Sequence, residues 1–302
     1  FNNIIQYHRF NTNITFLLLF SFFFFTQYRD PTPVVDESTG AVHLIAAYTD
    51  SNDTSARENG LNDLFQWTSS DHGVSFDKIP KNISHFFGAT PRITPANGHG
   101  ISIRGKSHHG RLVIPAYSNA GSSLLVSDDH GTTWMGTAPF SPGTAEGDVA
   151  ELPNGTLLYA LREDNLTMTG QCGEYKHCRL FATSDDGGLT FQHVVANPYL
   201  PDPGCKAGLA AAPSTVNNNS VLFFVNNNND VNRTHITVRQ SFNSGGTWSE
   251  GLLLYNKTAG YVDMVSQTSN LINVIYEKDT CEIVMSTVEY HNNAAIEQLR
   301  EI

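Results

Sequence analysis

The chain has 302 residues, a formal net charge of −11, 18 lysines and arginines together, and 16% charged residues. Such a length buries a substantial core, whereas so few cations spread along an acidic chain exclude the basic face that a nucleic-acid partner needs. An anionic ligand has to be met by a local arginine cluster acting against the overall field.

The N-terminal stretch ITFLLLFSFFFFTQ, residues 14–27, is apolar without the alternation of a sheet strand. It is short for a membrane span, and no membrane partner is assigned from it. Two origins fit it: the hydrophobic core of a signal-like segment, or read-through of a pyrimidine-rich intron tail. Residues 1–27 are therefore set apart as a non-homologous apolar segment and residues 28–302 are read as one domain. Beyond residue 30 no long helical apolar period appears, and short β-prone runs such as SSLLVS, CRLFATS and THITVRQS take its place.

Each of those three runs leads into a repeated octapeptide. SSDHGVSF begins at Ser69, SDDHGTTW at Ser127, SDDGGLTF at Ser184 and SFNSGGTW at Ser241, a period of 57 or 58 residues. The Asp or Asn at the third position can bond backbone N–H groups inside a tight turn. The Gly at the fifth supplies a positive φ, and the closing aromatic returns to the sheet. The period is the length of one four-stranded blade, so the sequence predicts an all-β propeller with the boxes on turns between the outer strands of successive blades.

Cys172 and Cys178 are close enough to bridge a loop or to remain free thiols, and Cys205 and Cys281 complete a set with no zinc spacing. His108 and His109 sit in a loop and likewise fit no metal spacing, and the Asn runs at 217–219 and 226–229 read as polar hairpins. Sequons begin at Asn52, Asn82, Asn154, Asn165, Asn218, Asn232 and Asn256. With the apolar segment they favour a secretory, lysosomal or membrane-associated location over the cytoplasm.

From about residue 30 to 290 the segments DPTPVVDESTGAVHLIAAY, NGHGISI, GRLVIPAY, SDDHGTTW, GTAEGDVAELPNGTLLYALRED, LPDPGCKAGL, NRTHITVRQSFNSGGTW, AGYVDMV and VIYEKD follow one another. In that order the chain resembles the exo-α-sialidases, whose Asp boxes are the octapeptides above. The resemblance implies a six-bladed propeller, here incomplete at its first blade. It also implies retaining hydrolysis of terminal α-linked sialic acids on glycoproteins, glycolipids or oligosaccharides, with no cofactor and no metal. Tyr261 in YVDM takes the place of the nucleophile, and Glu146 that of the carboxylate accepting its phenolic proton. Arg162 and Arg233 take the places of two of three arginines that bind the substrate carboxylate, while Arg239 lies farther along its strand.

Glu277 matches a Glu that braces the first of those arginines, which with the acid/base Asp belongs to the absent blade, so Glu277 is expected to lack its partner. YRDP at 28–31 imitates the missing segment, and Arg29 is taken as a coincidence, with Asp30 and Asp50 as the fallback acids. His99 falls near the site without an assigned role. Lys206, where relatives often have Gln, is expected to alter contacts to the glycerol or N-acyl side of the sugar. Glycan at Asn232 would obstruct Arg233, so that sequon is expected to be unused. The second reading is a catalytically silent Asp-box propeller that binds sialylated glycans or proteins.

Overall fold

The computed structural model describes residues 28–49, 62–87, 93–164, 171–213, 220–266, 271–279, 282–289 and 297–301. The apolar segment 1–27, Asp50, Asn52, Asn165 and the Asn run at 217–219 lie outside the described residues.

All the sheets are antiparallel meanders. The first runs β1 (Tyr28–Val35), β2 (Val42–Tyr48), β3 (Asp63–Ser69) and β4 (Lys81–Asn82) in spatial order, with Val35 opposite Val42 and Tyr48 opposite Asp63. The second has an interrupted inner strand, β5 (Thr94–Pro95) and β6 (Ile101–Ser102), whose two pieces pair with opposite ends of β7 (Leu112–Ser118). It continues with β8 (Gly121–Ser127) and β9 (Met135–Gly136). The third comprises β10 (Thr144–Glu151), β11 (Leu157–Glu163), β12 (Cys178–Ser184) and β13 (Gln192–Pro201).

The fourth sheet joins two four-stranded units through one shared strand. Its order is β14 (Gly208–Pro213), β15 (Ser220–Asn227), β16 (Thr234–Ser241), β17 (Leu252–Ser266), β18 (Leu271–Lys278), β19 (Glu282–Glu289) and β20 (Glu297–Glu301). β17 pairs with β16 up to Thr258 and with β18 from Ala259 onward, so it is the outer strand of one unit and the inner strand of the next. The described residues thus form four sheets, the last of them double; the expectation from the resemblance is six blades with the first incomplete.

The core is distributed between neighbouring sheets, and the strand period of two is what divides it. Leu112 and Ile114 of β7 pack with Val34, Ile45 and Leu64 of the first sheet, whereas Val113 between them packs with Val149, Leu157 and Tyr159 of the third. Leu158 and Ala160 of β11 turn the other way, onto Leu209, Leu222 and Phe224. Val221 and Phe223 of β15 in turn meet Val262, Val274 and Tyr276 across the double sheet. A strand covered on both faces reads as a continuous apolar run, as in VHLIAAY of β2.

The four octapeptides fold alike. In the second, the Ser127 hydroxyl donates to Asp129 Oδ1 at 2.9 Å and accepts the Gly131 N–H at 2.9 Å. Asp129 then accepts the backbone N–H and the hydroxyl of Thr133 at 2.8 and 2.7 Å. Ser69, Asp71, Gly73 and Ser75 repeat the set, as do Ser184, Asp186, Gly188 and Thr190. In the fourth box Asn243 replaces Asp: its Oδ1 accepts the Thr247 N–H as in the others, but its Nδ2 donates to the Thr247 hydroxyl, reversing that bond. Gly73, Gly131, Gly188 and Gly245 have φ between 74° and 91°, a conformation that side chains resist. Each box links the third and fourth long-path strands within one sheet, rather than one blade to the next, because the turn is too tight to cross between sheets.

Ser127→Ala removes a hydroxyl that satisfies a buried N–H, and about 1–2 kcal/mol of stability should be lost in urea unfolding. Hydrogen bonds from Ser75 and Ser69 hold the Asp71 carboxyl down to about 2, below its unfolded value of about 4. A depressed folded value stabilises above the unfolded one and is lost as pH falls through the folded one, so the melting temperature should drop between about pH 4 and pH 2. Scanning calorimetry of the chain and of Asp71→Asn checks this, the variant losing less over that interval.

Candidate active site

Two bulges on inner strands carry the site. In the first, β10 gains a residue on β11 between the pairs Thr144–Glu163 and Gly147–Leu161, and Glu146 lies in it. Gly147 has to be glycine, because a Cβ there would run into the Tyr159 ring. That ring is pinned by its hydroxyl, which donates to the carbonyls of Ala116 and Ser123 at 3.2 and 3.1 Å. The second bulge, between Ala259 and Val262, falls where β17 passes from one unit to the next and carries Tyr261.

These bulges bring together side chains 115 residues apart. The Tyr261 hydroxyl donates to Glu146 Oε1 at 2.5 Å. Arg162 on β11 donates through Nη1 to Glu146 Oε2 at 2.5 Å and to the Tyr261 hydroxyl oxygen at 3.4 Å, and through Nη2 to Asp164 at 2.8 Å. The Arg233 guanidinium lies 5.7 Å from the centroid of the Tyr261 ring and donates to the Gly204 carbonyl at 2.9 Å. That carbonyl is fixed in turn by Asp202, which accepts the N–H groups of Gly204 and Cys205 and pairs with buried Arg179 at 3.2 Å. Tyr261, Glu146, Arg162 and Arg233 therefore share one place, and Arg239 lies elsewhere, bonded to Asn228 on its own hairpin.

Burial, followed by the adjacent Glu146 charge, pushes the Tyr261 phenol well above its ordinary range. The phenol therefore keeps its proton at neutral pH, and any transfer of that proton must go to Glu146 as a bond forms at the oxygen. Burial alone would lower Arg162, but the adjacent Glu146 carboxylate, with Asp164 beyond it, outweighs burial and holds the guanidinium charged.

One expectation is corrected, for Lys206, and one alternative is settled, for the cysteines. Glu277 Oε2 accepts the Tyr261 backbone N–H at 3.0 Å and so anchors the bulge. Lys206 does not face a ligand; it is buried, 1% exposed, with its ammonium 3.4 Å from Asp148 and 3.7 Å from Asp263. Cys172 and Cys178 are joined in a disulfide, which resolves the alternative of free thiols. His99 bonds Asp263 at 3.1 Å.

Arg29 donates to Asn62 at 2.6 Å, at an exposed position. Its neighbour Asp30, held at φ 51°, instead receives the Tyr117 hydroxyl at 3.3 Å. Burial first, then the Glu146 charge, raises the Asp30 carboxyl to about 6. Tyr117, Asp148 and Asp263 were not marked by the sequence, although a charged residue two positions beyond each of Glu146 and Tyr261 in an otherwise buried strand was a usable signal. His99, Asp148 and Asp263 lie close enough to share a cation. The Lys206 ammonium already places a positive charge among those carboxylates, so the donor set fits a lysine rather than a metal.

The sequence matches the BNR repeat-like domain family over residues 26–274. It is 26% identical over 271 residues to a sialidase of Micromonospora viridifaciens, covering 84% of this chain and 40% of that one. It is 25% identical over 292 residues to a sialidase of Bacteroides fragilis, covering 86% and 49%. The chain thus spans less than half the length of these relatives. Among solved structures it is similar to the Hadza microbial sialidase Hz136, with a TM-score of 0.75, 27% identity, and coverage of 87% of this chain and 53% of that one. A leech intramolecular trans-sialidase shares the fold at a TM-score of 0.68 and 16% identity, over 90% and 56% of the two chains.

A Cβ at Gly260 would fall onto the Glu277 carboxylate. Gly260→Ala should therefore displace Glu277 from the Tyr261 N–H and cost about 1–3 kcal/mol in urea unfolding. Wild-type stability in that variant would show that Glu277 is not the anchor of the bulge.

Proposed function

Because the chain belongs to the BNR repeat-like domain family and is a homologue of sialidases, we propose that this site removes terminal α-linked sialic acids from glycoproteins, glycolipids or oligosaccharides by a retaining mechanism. The observation that carries the reading is the 2.5 Å hydrogen bond from the Tyr261 hydroxyl to Glu146. The anomeric carbon of a sialic acid bears a carboxylate, and a carboxylate nucleophile would approach it against like charge. A phenol is neutral until the moment of attack.

As the Tyr261 oxygen bonds to the anomeric carbon, its proton passes to Glu146 Oε1 and the glycosidic C–O bond breaks. The leaving oxygen takes a proton from an acid. Two described carboxyls near Glu146 are raised to about 6, Asp30 and Asp148; Asp148 is paired with the Lys206 ammonium, whereas Asp30 is bonded to the neutral Tyr117 hydroxyl, which leaves Asp30 as the candidate acid. Water, or a hydroxyl of another sugar, then displaces Tyr261, giving its proton to the carboxylate that the acid left behind, while Glu146 returns the first proton to the phenolate. Hydrolysis and transfer differ only in this second acceptor.

Arg233 and Arg162 supply positive charge for the substrate carboxylate in a chain whose net charge is −11. The chemistry needs neither cofactor nor metal. The Cys172–Cys178 disulfide suits an oxidising compartment, in keeping with a secretory or lysosomal location. A silent glycan-binding propeller has no use for a phenol held against a carboxylate, which favours the enzyme.

The test is turnover of an activated aryl sialoside, whose leaving group departs with little protonation. Tyr261→Phe should reduce it to background, and Glu146→Gln should lower kcat by about 10²–10⁴-fold. Proton NMR of the first product should show the α-anomer before mutarotation. Unchanged turnover in Tyr261→Phe, or the β-anomer appearing first, would overturn the mechanism.

A further inference from the structure

Resting on that reading of the site, a second group of charges adjoins the reacting pair and has no assigned part in the reaction. Asp148 lies two residues beyond Glu146 on β10, and Asp263 two residues beyond Tyr261 on β17. His99 comes from the excursion between β5 and β6 and bonds both Asp263 oxygens at 3.1 Å, with Asp148 at 3.7 Å. Lys206 immediately precedes β14 and places its ammonium 3.4 Å from Asp148 and 3.7 Å from Asp263, while donating to the Ala207 carbonyl at 2.6 Å. The inner strands of successive sheets converge on these four side chains.

The packing around the group is built for it. Gly98 has φ 104°, and a Cβ there would lie 2.7 Å from the Lys206 ammonium. Asp148 also accepts the Leu209 N–H at 3.0 Å, tying β10 to β14. Asp148, Asp263 and Lys206 are buried, so their charges are felt by neighbours with little screening by water. Two carboxylates against one ammonium and one imidazolium sum to zero.

We propose that His99, Lys206, Asp148 and Asp263 form a charge-balanced quartet that keeps the Glu146 carboxylate ready to accept the Tyr261 proton, with His99 and Lys206 acting as positioning residues. The balance depends on His99 remaining cationic. Burial alone would lower the imidazole, but the Asp148 and Asp263 carboxylates overcome it and raise His99 to about 9. Burial pushes Asp148 up, and for Asp263 the charges of His99 and Lys206 outweigh burial and hold it down. The other titratable groups that act on the quartet or on Glu146 are Tyr159, Arg162, Tyr261, Asp30, Tyr117 and Arg179. None of them changes charge between about pH 6.5 and 9; on the acid side of that window Asp30 and Asp148, both raised to about 6, take up protons in the parent chain and its variants alike, so the difference in midpoint between chains is what reports on the quartet.

The sign of the effect follows from Coulomb's law. Loss of one positive charge leaves a net negative charge about two strand residues, or roughly 7 Å, from Glu146. It disfavours the ionised carboxylate, so the acid limb of activity should move to higher pH by on the order of one unit. Loss of one negative charge should move it down by a similar amount.

The experiment compares the full chain with His99→Gln, Asp263→Asn and the double variant carrying both. The first readout needs no turnover: ¹³Cζ-labelled tyrosine, with the Tyr261 resonance assigned through Tyr261→Phe, reports the acid titration of the carboxylate that its hydroxyl touches. The second is the pH profile of aryl-sialoside turnover. His99→Gln should raise the acid midpoint in both, Asp263→Asn should lower it, and the double variant should return to within about 0.3 unit of the parent chain.

Lys206→Met should shift the midpoint in the same direction as His99→Gln, and stands in if Asp263→Asn does not fold. Midpoints that stay fixed while all variants merely lose stability or kcat would overturn the proposal. If the parent chain turns over no sialoside but the Tyr261 midpoint moves with opposite signs, the sialidase reading fails and the quartet stands. If turnover is robust and the midpoints do not move, the quartet fails and the sialidase reading stands.

Discussion

The long strands of the central sheets have to bury both of their faces, because a neighbouring sheet packs on each side of them. The period-two division of β7, with Leu112 and Ile114 toward one sheet and Val113 toward the next, is the local form of that constraint. It explains why the strands read as apolar runs, why the core is spread over several interfaces, and why polar residues in inner strands are confined to the centre. A charged side chain on such a strand can be accommodated only where strands from several sheets converge and offer partners.

The site is a consequence of that confinement. Glu146 and Tyr261 both sit in bulges, where an inner strand departs from regular pairing and can direct a side chain away from the inter-sheet core. β17 adds a second device: by serving as the outer strand of one unit and the inner strand of the next, it delivers Tyr261 at the point where the chain crosses toward the centre. Glu277 holds that crossing through the Tyr261 N–H, and the close approach leaves room only for glycine at 260. The Tyr261–Glu146 contact is thus held by backbone geometry as much as by the side chains themselves.

Charge is arranged in layers around this contact. Arg162 and Arg233 meet the phenol and its carboxylate partner, while His99 and Lys206 compensate Asp148 and Asp263 a short distance along the same strands. An acidic chain thereby gathers cations around the Tyr261–Glu146 contact. The boxes lie apart from this chemistry: their core hydrogen bonds close within single turns, and their outward bonds, such as Arg111 to Asp128 and Trp134 to Gln66, go to neighbouring strands and turns.

What the sequence by itself determined were the features carried by contiguous residues. The period of 57 or 58, the box turns with their glycines, the all-β character and the segments bearing Glu146, Arg162, Arg233 and Tyr261 were all legible, because a turn or a strand is specified by residues within about ten positions of one another. The tertiary structure alone decided what those residues touch. Lys206 looked like a residue for the sugar and is buried against two aspartates; Glu277 was read as a brace for an arginine of the absent blade and holds the Tyr261 N–H; Asp30 looked incidental and lies within the electrostatic reach of Glu146. Each of these contacts joins positions separated by at least sixteen residues and depends on how strand bulges and adjacent sheets are packed, which no local pattern in the chain encodes.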